Sequence, residues 1–291
     1  MGLRSKFNLA LFIAFIVALA GGGVVLQDLF TRNARDQVLQ NARIMMSAAD
    51  AVRHFTDEQI TPLAAAQNST HFVAASVPSY VAQTTFKTLQ ARYPDYTYRE
   101  PTLNPTNPNN RPADWERDYI NSFREKPDLT ELVGQRDTPT GPSLSLARPI
   151  KVTSQDCLAC HGSPARAPAS LIAAYGSANG FGWKLNEIVG AQVVSVPMAL
   201  ALDQAHRTFL TFMGILLAIF GLIAVVLNVL LHFMVIKPVV TVSRIANAVS
   251  LGEASMEEYH MTGRDEISVL AASFNRMRRS LDSAMNLLES R

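Results

Sequence analysis

The sequence predicts an α+β domain held between two transmembrane helices and followed by a helical coiled coil. Two long apolar runs occupy residues 8–27 and 208–236, and between them helical periodicity alternates with runs that favour β-strands. After the second run, apolar residues recur in heptads. These observations predict an anchor at 1–30, a folded domain at 31–207, a second transmembrane helix at 208–236 and a C-terminal module at 237–291.

The two apolar runs are nearly free of charge, since the first carries no charged residue and the second carries only the titratable His232. Each is long enough to cross a hydrocarbon core of about 30 Å as a helix. Arg4 and Lys6, with Ala18-Leu19-Ala20 as a possible cleavage site, also fit a cleaved signal peptide. We interpret the first run as an uncleaved anchor because it stays apolar through Leu26 and a polar amphipathic helix follows it directly.

The domain at 31–207 begins with a long amphipathic helix, predicted from Thr31 to about Thr61 and ended by Pro62. The apolar positions recur at spacings of three, four and seven residues, which gives one apolar face. That face comprises Val38, Met45, Ala48, Ala49, Val52 and Phe55. We expect it to pack on the domain core or on a partner chain.

Shorter elements follow this helix. Pro78 opens a second helix, predicted from Ser79 to Ala91, and a short helix is expected around Trp115 to Phe123. The prolines and asparagines at 101–112 exclude regular structure and predict a surface loop. Alternation predicts a strand at 143–152, and the run at 191–196 is the clearest strand signal in the chain.

The chain has two cysteines, Cys157 and Cys160, and His161 follows them directly to give a CxxCH motif. This spacing is that of c-type haem attachment, in which each thiol bonds one porphyrin vinyl group and the histidine ligates the iron. A redox-active CxxC pair or a zinc site is the alternative, but the sequence shows neither a thioredoxin-like context nor two further ligands at similar spacing. A disulfide between the two cysteines would close a small, strained ring. We therefore predict one covalent haem c.

Glycines follow the motif. Gly162 stops the helix that carries it, and Gly176, Gly180 and Gly182 space a loop that ends in Trp183. Glycines near a flat cofactor permit close approach of the backbone, and Trp183 would add an aromatic wall. A β-turn followed by a core tryptophan is an equally good interpretation.

Four short strings within and around the CxxCH motif occur in an order that is typical of one protein family. The strings NPTNPNNRP, CLACHGSPARAPASLI, GFGW and GAQVVSVP resemble a bacterial periplasmic c-type haem sensory family with a PAS-like fold, over approximately Arg43 to Pro197. The resemblance implies an antiparallel sheet flanked by helices, with haem between the sheet and the long N-terminal helix. It also implies that a ligand opposite His161, where present, comes from that helix.

Three residues of the long helix are candidates for that second ligand. Met46, on the flank of the apolar face, is preferred, with Met45 and His54 as alternatives. Arg53, one heptad after Met46, would then lie near a haem propionate. His71 is a further candidate outside the helix.

The segment after the second apolar run contains two helical patterns separated by a connector at about 252–263. Pro238, the string DEI at 265–267 and the string FNRM at 274–277 resemble a HAMP signalling module over residues 236–288. The heptad positions of the second helix are Ile267, Leu270, Phe274, Met277, Leu281, Ala284 and Leu288. The resemblance implies a parallel four-helix bundle made by two chains, and hence a homodimer. A simple dimerisation zipper is the alternative.

The predicted topology follows from the motif, because covalent haem c is attached outside the bacterial cytoplasm. We expect the chain to cross the inner membrane twice, with a periplasmic domain and cytoplasmic termini. The predicted function is a sensor that converts haem redox state or binding of a diatomic gas into a HAMP signal to a separate cytoplasmic protein. A membrane-anchored monohaem cytochrome serving a redox partner is the alternative. A net charge of +2 gives no indication of nucleic-acid binding. We find no arrangement of catalytic residues in the sequence and therefore do not expect an enzyme.

Overall fold

The computed structural model describes residues 2–68, 70–251 and 263–289 of the chain. It divides into two compact units. One unit is Gln27–Phe209, and the other combines Met1–Leu26 with Leu210–Arg291. We call Gln27–Phe209 the first unit, and it contains the CxxCH motif.

The first unit contains a four-stranded antiparallel sheet in the order β1-β4-β3-β2. The strands are β1 (Thr97–Arg99), β2 (Leu132–Thr138), β3 (Gly141–Lys151) and β4 (Ile188–Pro197). The strands predicted at 143–152 and 191–196 are confirmed as β3 and β4. The other two were missed, because β1 has only three residues and β2 mixes glycine with charged and amide side chains.

In the described residues, six helices begin before the last strand and belong to this unit in whole or in part, and the start of a seventh follows that strand. The six are α1 (Leu3–Phe55), α2 (Thr61–Asn68), α3 (Pro78–Gln90), α4 (Asp114–Glu125), α5 (Gln155–His161) and α6 (Ala169–Tyr175). The helices predicted at 79–91 and 115–123 are confirmed as α3 and α4. The α+β class is therefore confirmed, whereas its PAS-like assignment stays a prediction.

The predicted end of the long helix at Pro62 is wrong. A π-turn at Thr56–Ile60 joins α1 to α2, and the Thr61 N–H donates to the Thr56 carbonyl five residues earlier. The Thr61 hydroxyl lies 3.0 Å from that carbonyl oxygen and donates to Ser76 O at 2.7 Å. Pro62 is the second residue of α2, where a missing N–H removes no bond from that helix.

The core of the unit lies between α1, α3 and one face of the sheet. Its buried members include Val38, Ala42, Met46 and Ala49 from α1, Ala82 and Phe86 from α3, and Leu144, Leu146, Val194 and Val196 from the sheet. The predicted apolar face of α1 is thus partly wrong, since Met46 is in the core while Ala48 and Phe55 are exposed. The helix has uncharged residues on more than one side, so periodicity did not locate the inner face.

The opposite face of the sheet is covered by α4. Ile120 and Phe123 of that helix pack on Ala147, Ala191 and Val193. Because both faces are covered, β4 is buried at every position but its last. Burial on both faces also fits its mostly apolar sequence, in which Gln192 and Ser195 are the polar residues.

The second unit holds the first part of α1 and the helix α7 (Ala199–Leu231), which begins in the first unit. Both helices are long and apolar enough to cross a membrane. The rings of Phe15 and Phe220 stack with centroids 4.7 Å apart. A π-turn at His232–Ile236 leads from α7 into the last two helices.

Those helices are α8 (Lys237–Ser250) and α9 (Glu266–Glu289). Val242 and Ile245 of α8 are buried, as is Ala271 of α9, whereas Leu270, Met277 and Leu281 are exposed in the single chain. The helical content predicted for this segment is confirmed in the part that the structure describes. The connector at 252–262 lies outside the described residues, and the HAMP assignment stays a prediction.

Candidate functional site

A cavity of about 650 Å³ lies in the Gln27–Phe209 unit, beyond the end of β3. Its size falls within the range of about 300–1,000 Å³ that is usual for small-molecule and cofactor pockets. The lining includes Cys157, Cys160 and His161 from α5, together with Trp183. Arg53 and His54 from the last turn of α1 also line it. The structure thus brings most of the site residues predicted from the sequence around one cavity.

The short helix α5 arranges the motif. Ser154 caps it, because its hydroxyl accepts from the Asp156 N–H at 3.1 Å, and Gly162 ends it. Cys157, Cys160 and His161 are positions i, i+3 and i+4 of this helix, so all three project from one face. The CxxCH spacing therefore directs two thiols and one imidazole towards the same space.

His161 is held in a defined tautomer. Its Nδ1 lies 2.7 Å from the Gly180 carbonyl oxygen, which can only accept, so Nδ1 carries the proton. Nε2 then keeps its lone pair, which is the state in which a histidine ligates a metal. The ring stacks on Trp183 with centroids 4.0 Å apart and an interplanar angle of 12°. Burial lowers the pKa of His161, and the Gly180 hydrogen bond opposes that shift in part.

The glycine loop is tied to the end of α5 through the backbone. The Gly182 N–H donates to Gly162 O at 2.7 Å, and the Trp183 N–H donates to His161 O at 3.1 Å. Gly180 has a φ of +86°, and a Cβ there would lie 1.9 Å from the Thr106 hydroxyl oxygen. Trp183 lines the cavity and stacks on His161, and its contact with a cofactor stays a prediction.

The proline- and asparagine-rich segment is hydrogen-bonded to the glycine loop, and its Thr106 lines the cavity. The Gly180 N–H donates to the Asn104 side-chain oxygen at 3.2 Å, and the Asn104 amide donates to Phe181 O at 3.4 Å. Thr106 Oγ1 lies 3.5 Å from His161 Nδ1. The segment is irregular apart from a short 3₁₀ turn at Pro108–Asn110 and an isolated bridge at Thr102, but it is not the plain surface loop that we predicted. Sequence reasoning missed Asn104 and Thr106 because their partners are more than 50 residues away.

A buried ionic network contributes another part of the cavity wall through Arg53 and Glu100. Glu100, only 2% exposed, accepts from Arg53, and its other oxygen accepts from the Tyr98 hydroxyl at 2.7 Å. The Glu100 N–H also donates to the Gln83 side-chain oxygen at 3.4 Å. Burial raises the pKa of Tyr98, and the Glu100 carboxylate raises it further. Burial acts most strongly on the pKa of Arg53 and lowers it, but Glu100, Tyr98 and Asp50 together outweigh burial and the net shift is upward.

This network changes the expectation for Arg53. The guanidinium of Arg53 already neutralises Glu100, so its charge is only partly available to a carboxylate-bearing ligand. Lys87 and Lys151 also line the cavity and could pair with such carboxylates. The sequence had given no reason to select these two lysines.

The candidates for a ligand opposite His161 lie in different surroundings. Met46 is fully buried in the core between α1 and the sheet, Met45 packs beside that core, and neither is among the residues that line the cavity. His54 does line the cavity, although its side chain is 70% exposed and lies 3.3 Å from Glu58. The space between the sheet and the middle of α1, where the resemblance placed a cofactor, is filled by core side chains.

The two cysteines are free thiols in the structure and are not joined to each other. Burial raises the pKa of Cys160, and the neighbouring Cys157 adds to the rise. Within the described parts of the chain, no group of three or more His, Cys, Asp or Glu side chains is placed to hold a metal ion, so the zinc alternative finds no further ligands. Two thiols and one unprotonated imidazole nitrogen are thus available at the cavity, and they are the groups that two thioethers and one bond to iron would require.

The fold and the site define an α+β domain that presents a CxxCH helix to an internal cavity, in a chain with two membrane-length helices. The profile of the Tll0287-like family, described as Tll0287, matches residues 31–197. This match covers more than half of the chain, and the chain therefore belongs to the Tll0287-like family. The matched range includes all of the stretch from Arg43 to Pro197 on which the sequence resemblance was based.

One solved structure resembles the chain. It is titled "Crystal structure of the cyanobacterial heme-protein Tll0287", with 20% sequence identity and a TM-score of 0.43. The similarity covers 55% of this chain and 94% of that one. A search of curated proteins gives no match.

Proposed function

We propose that this chain carries one haem c, bound through thioethers to Cys157 and Cys160 and ligated by His161. The observation that carries the proposal is that these three side chains share one face of α5 and line one cavity of about 650 Å³. Membership of the Tll0287-like family supports it, since a solved relative is titled a heme-protein. A bound haem would supply one-electron redox chemistry and ligand exchange at iron.

The residues of the chain have distinct roles in this proposal. The Gly180 carbonyl fixes the His161 tautomer so that Nε2 is available to a metal. Trp183 covers one face of the His161 ring and holds its orientation. Lys87, Lys151 and in part Arg53 place positive charge in the cavity wall, where carboxylates of a bound group would be stabilised.

Covalent attachment can be tested directly. The full chain, produced with a c-type cytochrome maturation system, should retain haem on a denaturing gel and show the haemochrome spectrum of a c-type haem in alkaline pyridine. The C157A/C160A variant should lose all haem that survives denaturation, and each single variant should shift the haemochrome band because one vinyl group stays unreacted. Haem that is released by denaturation from the unaltered chain would contradict the proposal.

For the position opposite His161, the contacts favour His54 over the sequence-based preference, Met46. His54 lines the cavity, whereas Met46 and Met45 belong to or pack beside the core. We therefore expect H54A to change the visible absorption of the oxidised protein and M46L, a volume-conserving change, to leave it unaltered. A spectral change in M46L alone would reinstate the methionine.

The function that we infer is sensing across a membrane. The cavity is lined by the last turn of α1, and α1 runs as one helix from Leu3 to Phe55, which includes the first membrane-length segment. A change in redox state or in a gaseous ligand at the iron would act on a helix that extends into that segment. We place the domain in the periplasm of a bacterial inner membrane, with both termini cytoplasmic, because c-type haem is attached outside the cytoplasm.

The output in this proposal is a HAMP-type bundle of two chains, read by a separate cytoplasmic signalling protein. Support comes from Pro238 at the start of α8, and from Leu270, Met277 and Leu281, which are exposed at heptad spacing on α9. Such a bundle would switch between two packings only if the haem domain stabilises one of them differentially. The PAS-like classification of the sheet is part of the same proposal.

Cross-linking separates the sensor from an electron carrier. A cysteine at Phe274 should cross-link between chains at different rates in reduced, oxidised and gas-exposed protein in membranes. The matched position is Arg276, which is exposed on the same helix but lies off the heptad seam. A constant rate at Phe274, together with rapid reduction by a quinol-linked donor, would favour the membrane-anchored monohaem cytochrome instead.

A further inference from the structure

The side of α1 that faces away from its own sheet is an uncharged stripe. At about 100° per residue, seven positions between residues 33 and 55 fall within an arc of about 80° and none of them is charged. All seven are exposed in the structure. They are Asn33, Gln37, Gln40, Ile44, Ala48, Ala51 and Phe55, and we refer to them as the α1 stripe.

The charged residues of the same segment lie elsewhere on the helix. They are Arg35, Asp36, Arg43, Asp50 and Arg53, and they fall within an arc of about 100° whose centre is about 130° from that of the stripe. Several of them are used within the chain. Arg43 pairs with Glu131 at 2.9 Å, Asp50 pairs with Arg148 at 3.2 Å, and Arg53 pairs with Glu100.

The fold of the single chain does not account for the α1 stripe. The core face of α1, marked by Val38, Ala42, Met46 and Ala49, lies nearly opposite. Ile44 is 58% exposed and Phe55 is 59% exposed, which leaves large apolar side chains in solvent. Between them, Ala48 and Ala51 are small enough to let another helix approach closely.

We propose that the α1 stripe packs against the α1 stripe of a second copy of this chain, as a parallel pair of helices. Two copies anchored in one membrane by the same segment have their α1 helices in the same direction, so a parallel pair is the geometry available to them. In a parallel two-fold pair each residue faces its own copy, and a charged residue would oppose an identical charge. The α1 stripe has no charge at any position, which is the pattern that such self-pairing requires.

The spacing of the stripe also fits a helix pair. The seven positions of the α1 stripe, from Asn33 to Phe55, are separated by six intervals with a mean length of about 3.67 residues. This mean equals the number of residues per turn in an 11-residue repeat. Such a repeat keeps the contact line nearly straight along about 33 Å of helix. Asn33, Gln37 and Gln40 can each donate to and accept from their own copies. This interface is separate from the one proposed for α9 and does not depend on haem.

The test is disulfide formation between chains of the full-length protein in membranes. A51C and A48C are each expected to give a cross-linked dimer on brief oxidation, whereas R35C, exposed on the far side of the helix, is expected to give none. Each variant is also made with C157A and C160A, so that the native thiols cannot account for a product. A dimer that forms through α9 while A48C and A51C stay uncross-linked would overturn the proposal.

A charge substitution provides the second measurement. I44E in the A51C protein places like charges opposite each other and is expected to reduce the rate of cross-linking about tenfold. The matched control, R35E in the A51C protein, should leave the rate unchanged. Equal rates in the two proteins would show that the helices meet elsewhere, as would cross-links from A51C to a protein of another mass.

Discussion

The two walls of the cavity are built in different ways. The wall formed by α5 and the glycine loop is held by short backbone hydrogen bonds, such as Gly182 N–H to Gly162 O at 2.7 Å, and by a glycine in a left-handed conformation. The wall formed by the end of α1 is held by side chains, chiefly the Arg53 and Glu100 pair, whose members are 47 residues apart. The first wall fixes one histidine tautomer, whereas the second places a charged network beside a π-turn. We expect the first wall to hold a ligand and the second to respond to it.

The largest expected effect comes from breaking the first wall at Gly180. In G180A, a Cβ would lie 1.9 Å from the Thr106 hydroxyl oxygen, and the residue would also keep a φ of +86°. We expect G180A to lower the free energy of unfolding by about 3 kcal/mol or more and to abolish stable haem attachment. Urea unfolding and haem stoichiometry measure the two effects.

The matched control for Gly180 is Gly176, which has a similar φ of +77° but open space around a new Cβ. G176A should cost only the backbone strain, about 1–2 kcal/mol, and should keep its haem. Equal losses in G180A and G176A would mean that the contact with Thr106 does not organise the wall.

The second wall is broken by E100Q, which removes the charge that faces Arg53. Loss of one partner of a buried pair costs about 3–5 kcal/mol, but the Arg53 side chain is 25% exposed and water compensates in part. We therefore expect a loss of about 2 kcal/mol in the free energy of unfolding, with haem still attached. The absorption spectrum or the redox midpoint should change, because the charge in the cavity wall changes.

The control for E100Q is D114N, which removes the charge that faces Arg117 in a solvent-exposed pair at 3.1 Å. Exposed pairs contribute less than about 1 kcal/mol, so D114N should leave stability and spectrum nearly unchanged. If E100Q is as mild as D114N, the second wall does not depend on its ionic network.

A smaller effect is expected from W183L, which removes the ring stacked on His161. Loss of the stacking should cost about 1 kcal/mol beyond the change in buried area. Because the orientation of the imidazole changes, the visible absorption of the oxidised protein should shift. W115L serves as the control, since Trp115 packs on Tyr119 and under Arg136, on the side of the sheet that α4 covers, and does not line the cavity. Its stability should fall without any spectral change.

The smallest effect concerns pH and His161. In the C157A/C160A protein, whose histidine carries no iron, burial keeps the pKa of His161 below its usual 6.5. As the pH falls, His161 is therefore protonated in the unfolded chain before it is protonated in the folded chain. The contribution of neutral His161 to the free energy of unfolding is fully present above about pH 6.5 and is lost progressively below it. Unfolding measured between pH 8 and pH 5 should show this loss. H161Q in the same background should remove that part of the slope, and an unchanged slope would assign it to other groups.

Part of the fold and of the candidate site could be predicted from the sequence alone. The CxxCH motif, α3, α4, β3 and β4 were all found from local patterns of a few residues, because spacing and turn chemistry act over short distances. The strand β2 was missed because its sequence carries Gly134, Arg136 and Asp137, and its pairing with β3 holds it in the sheet. The break expected at Pro62 was wrong because a π-turn allows the helix to continue.

The sequence by itself determined the two apolar runs and the common face of Cys157, Cys160 and His161, since both follow from helical geometry within one segment. Only the tertiary structure decided which side of α1 faces the sheet, because uncharged residues occupy opposite sides of that helix. Met46 consequently lies in the core, and Phe55 lies in solvent. The tertiary structure also supplied Glu100 as the partner of Arg53, and Gly180 as the partner of His161. These contacts join residues distant in sequence, and a local pattern carries no information about them.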